Sequence, residues 1–294
     1  MKYHVKHVTQ YDYSTPVTLS HNVAHLRPRE HDLQKCLSHQ LTVTPNPRAR
    51  ADWLDYFGNH SDYFSLQQSH SELTVVAESV VEVLAPPNEN ISVAPPWEVS
   101  REELRASRDP STLAAREFCF DSPHVASNPE FAEYAMPSFK EGLPLYDCSL
   151  DLARRIHAEF EFFPGATTVG TPVAEVLRTR RGVCQDFAHL QIACLRSLGF
   201  AARYVSGYLV TTPPPGQRRM QGADVSHAWV SVFIPGRGWA DFDPTNGIVP
   251  SGQHVTLGWG RDYDDIGPIR GVLVGGRCQQ LRVSVDVIPV QSQI

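Results

Sequence analysis

The sequence predicts an α+β protein in which a sandwich-like antiparallel β domain is followed by helices packed on a second antiparallel sheet. Three observations carry this. Up to about residue 90 the chain runs in short segments of period-two apolarity broken by turn residues. Residues 97 to 198 carry helix starts, stops and helical apolar spacing, and beyond Gly199 the period returns to that of strands. With 294 residues, 41% apolar and 20% charged, the chain has material for two ordinary cores. The divisions expected are 1–90 for the N-terminal β domain, 91–145 for a linker and helical segment, and 146–294 for a catalytic domain with a C-terminal β segment.

Taken in order, strands are predicted at Tyr3 to Tyr13, Val17 to Leu26, Leu37 to Val43, Asp62 to Leu66 and Leu73 to Leu84. The last is rich in β-branched residues and stops at Pro86-Pro87. Helices are signalled by Pro110 before Ser-Thr-Leu-Ala-Ala, by Asn128-Pro129-Glu130, and by Leu150 to Phe160 before Pro164-Gly165. Thr171-Pro172 predicts a capped helix start, closing at Gly182. The next helix opens at Cys184 and places Phe187, Leu190, Cys194, Leu195 and Leu198 on one stripe. Strands are then expected at Ala202 to Val210, His227 to Ile234, Gly238 to Asp243, Gly271 to Val274 and Leu281 to Ile288, with a polar loop from Thr211 to Val225. Pro235-Gly236-Arg237-Gly238 is short enough to be a hairpin connection.

Composition removes several function classes. The net charge is −6 and the basic residues are scattered, with Arg178, Arg180 and Arg181 as the tightest cluster, so no footprint for nucleic acid is expected. No run approaches a membrane span, and the alternating N-terminus lacks the apolar core of a secretion signal. Six widely spaced cysteines without a CxxC pair fit reduced thiols, and the expected location is the cytoplasm. His21, His25, His31 and His39 are too loosely spaced to argue for a metal.

The chemistry is expected at Cys184. A cysteine at a helix N-terminus meets unpaired backbone N–H groups and the positive end of the helix dipole, an environment that favours thiolate. A thiolate that attacks a carbonyl needs a partner acid or base, and that group needs an orienter. His227 opens one predicted strand and Asp243 closes the next, so a hairpin brings them to the same end of a ladder. His227, Trp229 and Ser231 share a face, as do Trp239, Asp241 and Asp243, and Asp241 therefore competes for the orienting role. His189, five residues after Cys184, raises a metal reading with Cys184 and His227, but no second close-spaced ligand pair supports it.

Three blocks together carry a family resemblance. Gly182-Val-Cys184-Gln-Asp-Phe-Ala-His, Ser226-His227-Ala-Trp-Val and Gly238-Trp-Ala-Asp-Phe-Asp243-Pro-Thr-Asn-Gly resemble the catalytic blocks of the bacterial transglutaminase-like family, within the papain-like cysteine-protease superfamily. Tyr11-Asp-Tyr-Ser-Thr-Pro-Val, Leu26-Arg-Pro-Arg and Asp55-Tyr-Phe-Gly-Asn resemble its N-terminal β domain, and Gly260-Arg-Asp-Tyr-Asp-Asp with Pro268-Ile-Arg-Gly its C-terminal segment. The resemblance implies a papain-like transglutaminase core with Cys184 as nucleophile, His227 as base and Asp243, rather than Asp241, as orienter. It implies a thioester intermediate formed on a peptide or carboxamide, with a peptide or protein as substrate. Hydrolysis as a cysteine peptidase or amidase is the leading expectation. Transfer to an amine by a protein-glutamine transglutaminase and a non-catalytic binding module on the same fold are the alternatives. No cofactor is expected. Asp262, Asp264 and Asp265 lack the spacing of a calcium loop.

Overall fold

A computed structural model describes residues 1–84, 95–210, 225–277 and 279–290. Pro86-Pro87, the polar stretch 211–224 and Cys278 lie outside the described residues.

The N-terminal part is built on one long strand. β1 (Lys2–Ala24) alternates along its first half, turning Tyr3, Val5, His7 and Thr9 inward. β2 (Gln34–Thr44), β3 (Ala49–Leu54), β4 (His60–Leu66) and β5 (His70–Val83) join it in the order β2-β5-β1-β4-β3. The two predicted runs at 3–13 and 17–26 are thus one strand, while β3, a short strand exposed at every residue, is not among the predicted strands.

The middle of the chain is helical. α1 (Trp97–Ala106), α2 (Pro110–Ala115), α3 (Pro129–Ala135) and α4 (Leu145–Glu159) come first. Asp109 and Asn128 cap α2 and α3 by accepting from backbone N–H groups, each with proline at the first helical position. A two-residue strand β6 (Glu161–Phe162) lies parallel to β7 (Arg181–Gly182), with α5 (Val173–Thr179) between them. α5 departs from expectation at both ends. Its cap position is Pro172 without a side-chain bond, and it closes at Arg180 in the left-handed region (φ 56°), not at Gly182. Arg180 sits over the Phe160 and Tyr134 rings, contacts that hold a non-glycine residue there.

α6 (Cys184–Ser197) is the central helix, buried continuously from Asp186 to Arg196. Even its polar residues are enclosed, and their donors find backbone acceptors. Gln191 Nε2 donates to the Ser149 carbonyl, and the Arg196 guanidinium donates to the carbonyls of Phe118, Ala202 and Arg261. It lies against the sheet of β8 (Ala202–Leu209), β9 (Val225–Ile234), β10 (Gly238–Phe242) and β11 (His254–Gly260), ordered β10-β9-β8-β11. Tyr204, Ala228, Val230, Val232, Ala240 and Phe242 share one hydrophobic core with this helix. A short helix, α7 (Tyr263–Ile266), follows.

β12 (Ile269–Gly275) and β13 (Gln279–Pro289) form the C-terminal β segment, which the sequence groups with the catalytic part. Both hydrogen-bond to β1. β13 pairs with residues 3–13 opposite β5, and β12 pairs with residues 17–24 opposite β4. A second core of Tyr3, Val5, Val81, Tyr208, Val255, Leu257 and Val285 joins the two sheets. The join is reinforced by stacked cations, since Arg203 of β8 lies between the Trp239 and Trp259 rings and Arg29 covers Trp259 as well.

Candidate active site

Cys184 is the first residue of α6 and is partly exposed. The sequence around it has a structural logic of its own. The Asp186 carboxylate accepts from the Val183 N–H at 2.8 Å and from Thr167 Oγ1 at 2.6 Å, satisfying one donor of the helix N-terminus. A Cβ at Gly182 would fall 2.8 Å from the Asp186 Cβ, so glycine is what lets the carboxylate reach back. Burial pushes the Asp186 carboxyl pKa up, opposed by these two bonds.

β9 and β10 form the expected hairpin, with Asp241 opposite Ser231 and Phe242 opposite Val230. Their polar faces coincide. His227 Nε2 lies 2.7 Å from Asp243 Oδ2, and both side chains are buried. Asp241 takes a different partner, accepting from Trp229 Nε1 at 3.0 Å. Cys184 completes the contact, since its side chain and Asp243 both hydrogen-bond the imidazole. With Nε2 engaged by Asp243, Nδ1 is the nitrogen left for the thiol.

Asp243 is the most densely bonded group of the site. Oδ1 accepts from the N–H groups of Thr245 at 2.9 Å and Asn246 at 3.1 Å, in the turn begun by Pro244. Oδ2 accepts from His227, from Asn246 Nδ2 at 2.7 Å and from His254 Nε2 at 3.2 Å. Burial alone would raise its pKa, yet the hydrogen bonds from His227, His254 and Asn246 outweigh burial and hold it well below the carboxylate range. Burial likewise opposes charge on the His227 ring, but the bonds to Asp243 and Cys184 dominate and raise it from 6.5 to about 9. An imidazolium between two acceptors is the form this pocket favours at neutral pH.

His254 escaped the sequence reading because β11 did. The run His254-Val-Thr-Leu-Gly-Trp-Gly carries two glycines, which weaken a strand signal. Both are steric necessities. A Cβ at Gly258 would lie 2.5 Å from Asn59 Oδ1, and one at Gly260 would lie 2.4 Å from the Asp265 Cβ. The His254 ring meets the edge of Trp229 at 5.2 Å. Trp229 in turn occupies space that only glycine leaves, since a Cβ at Gly207 would be 2.4 Å from its ring.

His227, Asp243 and His254 are the one grouping among the described residues whose ligand atoms cluster as a metal site would, within 4.8 Å. Those atoms are taken up by hydrogen bonds to each other. His189 is turned to the other side of α6, where its Nε2 accepts from the Tyr263 N–H and its ring stacks on His124. Cys194 is fully buried, with its thiol pKa pushed up by burial. Tyr208 is buried against His7, and Asp262 caps α7. Among the described residues, no helix is long and apolar enough to cross a membrane.

Comparison with known proteins follows these blocks. Residues 3–82 match the model of the bacterial transglutaminase-like N-terminal region, and residues 143–244 match that of the transglutaminase-like superfamily. An uncharacterized protein of Mycobacterium tuberculosis is 43% identical over 99% of this chain and 93% of its own. One from Mycobacterium leprae is 33% identical over 96% and 97%. A segment covering 30% of this chain is 27% identical to 11% of a chicken peptide-N(4)-(N-acetyl-beta-glucosaminyl)asparagine amidase. Among solved structures, a candidate cysteine protease from Cytophaga hutchinsonii shares the fold, with a TM-score of 0.74 at 22% identity over 100% of this chain and 92% of that one.

Proposed function

This chain belongs to the bacterial transglutaminase-like family, and from that premise we propose that it is a thiol-dependent acyl-transfer enzyme that hydrolyses peptide or carboxamide bonds. One observation carries the proposal: the His227 imidazole is held between Cys184 and a fully buried Asp243, and its pKa is raised to about 9. An imidazolium beside Cys184 and the positive end of α6 behind it are the surroundings in which a cysteine acts as nucleophile.

The steps follow from this arrangement. The Cys184 thiolate attacks the substrate carbonyl carbon, and the oxyanion formed is met by backbone N–H groups at the α6 N-terminus. His227 gives its Nδ1 proton to the departing amine or ammonia as the C–N bond breaks, leaving a thioester on Cys184. The neutral ring then takes a proton from water as that water attacks the thioester, releasing the acid and restoring the ion pair. Asp243 stays ionised throughout, since every lone-pair direction toward the site is taken by a donor. An amine replacing the water would give amide transfer by the same residues. The amidase among the relatives breaks a carboxamide, the bond class proposed here. The five free cysteines among the described residues support a reducing, cytoplasmic setting.

The test is to incubate the protein with a glutamine-containing peptide library, with and without a primary amine, and to weigh the products. Shortened peptides or ammonia loss supports hydrolysis, and amine adducts would replace hydrolysis by transfer. Absence of product, together with Cys184 alkylation by iodoacetamide that is unaltered in His227→Ala, would leave a binding module as the better account.

A further inference from the structure

The geometry points to His254 as a positioning residue of the site, a second imidazole that shares the Asp243 oxygen on which His227 depends. The inference rests on the proposed roles of Cys184 and His227 and extends them to a residue outside the three blocks.

The His254 side chain is only 3% exposed. Its Nδ1 accepts from the Ser251 N–H at 3.4 Å, and the His254 N–H returns a bond to the Ser251 carbonyl at 3.0 Å. A ring whose Nδ1 accepts carries its proton on Nε2, and Nε2 faces Asp243 Oδ2 at 3.2 Å. The turn before β11 therefore selects the one neutral tautomer that donates to the carboxylate. Among the described residues, the titratable groups facing the ring are Asp243 and His227, whose ring centroid is 6.0 Å away, and Trp229 packs edge-on against it.

Asp243 Oδ2 thus serves three donors: His227, Asn246 and His254. Asn246 and the turn N–H groups already fix the plane of the carboxylate, so orientation alone does not call for His254. Its distinctive effect is on charge. A donor on the same oxygen draws off part of the negative charge that would otherwise fall on His227. This tempers how tightly His227 holds its proton, and a general acid that holds its proton too tightly gives it up slowly.

The test uses the full chain and iodoacetamide as the probe. Alkylation of Cys184 is followed by mass spectrometry from about pH 5 to about pH 10 in wild type, His254→Phe and His254→Gln. Loss of the His227 proton frees the thiolate and appears as an alkaline rise in rate. Phenylalanine keeps the ring against Trp229 and removes the donor, so the rise moves upward by about half a pH unit, while glutamine, which retains an N–H donor, keeps the wild-type position. If the rise stays in place in His254→Phe, or if both variants shift it together, the assignment is overturned. Failure of the underlying reading has its own sign, a His227→Ala protein that alkylates like wild type. Should His254→Phe not fold, nitrogen NMR of wild type with labelled histidine decides. His254 must remain neutral with its proton on Nε2 at neutral pH, and a cation or the Nδ1–H tautomer would overturn the proposal.

Discussion

Replacing Asp243 with asparagine isolates the electrostatics of the site, because the side chain keeps its size and its place in the Pro244 turn while losing its charge. The size of the effect follows from His227. Its pKa is raised from 6.5 to about 9 against a burial effect of the opposite sign, which corresponds to roughly 3 kcal/mol favouring the imidazolium, with Asp243 the leading contributor. Without the carboxylate, burial takes over and the ring is neutral at neutral pH. Alkylation of Cys184 by iodoacetamide at neutral pH should then fall by up to about 300-fold, the equivalent of that energy. Stability supplies a second readout. A base whose pKa is raised by folding adds stability that is complete below 6.5 and is lost as pH rises through about 9. Thermal melts of wild type should therefore weaken over that interval, and those of Asp243→Asn should not. A variant that alkylates within about threefold of wild type, and loses stability over the same alkaline interval, would refute the account of His227.

Two further outcomes concern stability away from the reacting atoms. Burial depresses the pKa of His7 and His39 to about 4 and of His189 to about 3, so each is neutral when folded, contributes stability above 6.5 and loses it as pH falls through the folded value. The three act together against a total stability of about 5–15 kcal/mol, so the melting temperature should drop steeply between pH 6.5 and about 4, and a flat profile there would contradict the neutral assignments. In Gly207→Ala the new Cβ would lie 2.2 Å from the Val255 carbonyl oxygen and 2.4 Å from the Trp229 ring. The backbone contact cannot relax by a rotamer change, so the variant should lose about 1–3 kcal/mol or more in urea unfolding and alkylate Cys184 more slowly as Trp229 is pushed toward His254, and wild-type behaviour in both would be the contrary result.

Much of the site was legible because its parts are local signals. A glycine, a cysteine at a helix start, a histidine opening one strand and an aspartate closing the next are each marked within a few residues, and period-two arithmetic gives His227 and Asp243 positions that meet once the two strand faces coincide. The choice between Asp241 and Asp243 could not be made that way, because both have the right parity. It turns on Trp229 Nε1 engaging Asp241. His254 was hidden by glycines that Asn59 and Asp265 require, partners about 200 residues away and five residues away respectively. β12 and β13 were recognisable as strands, but a strand's own pattern says which face is buried, not which edge it joins. Arg203 and Arg29 likewise look like ordinary surface cations until Trp239 and Trp259 enclose them.

The pairing of β12 and β13 with β1 has a consequence for how the molecule comes into being. Along the chain the catalytic helices and sheet lie between two parts of one β domain, so they are an insertion within it and not an appendage to it. During synthesis the first half of β1 can find β5 early, but its other edge has no partner until β13 emerges, more than 250 residues later. The catalytic unit must therefore fold while the domain that frames it is still open at one edge, and closure of that edge is among the last events. A chain shortened before β12 would carry Cys184, His227, Asp243 and His254 intact while baring the edge of β1 opposite β5 along its first half and the edge opposite β4 along its second, and its failure would be one of solubility before it was one of chemistry.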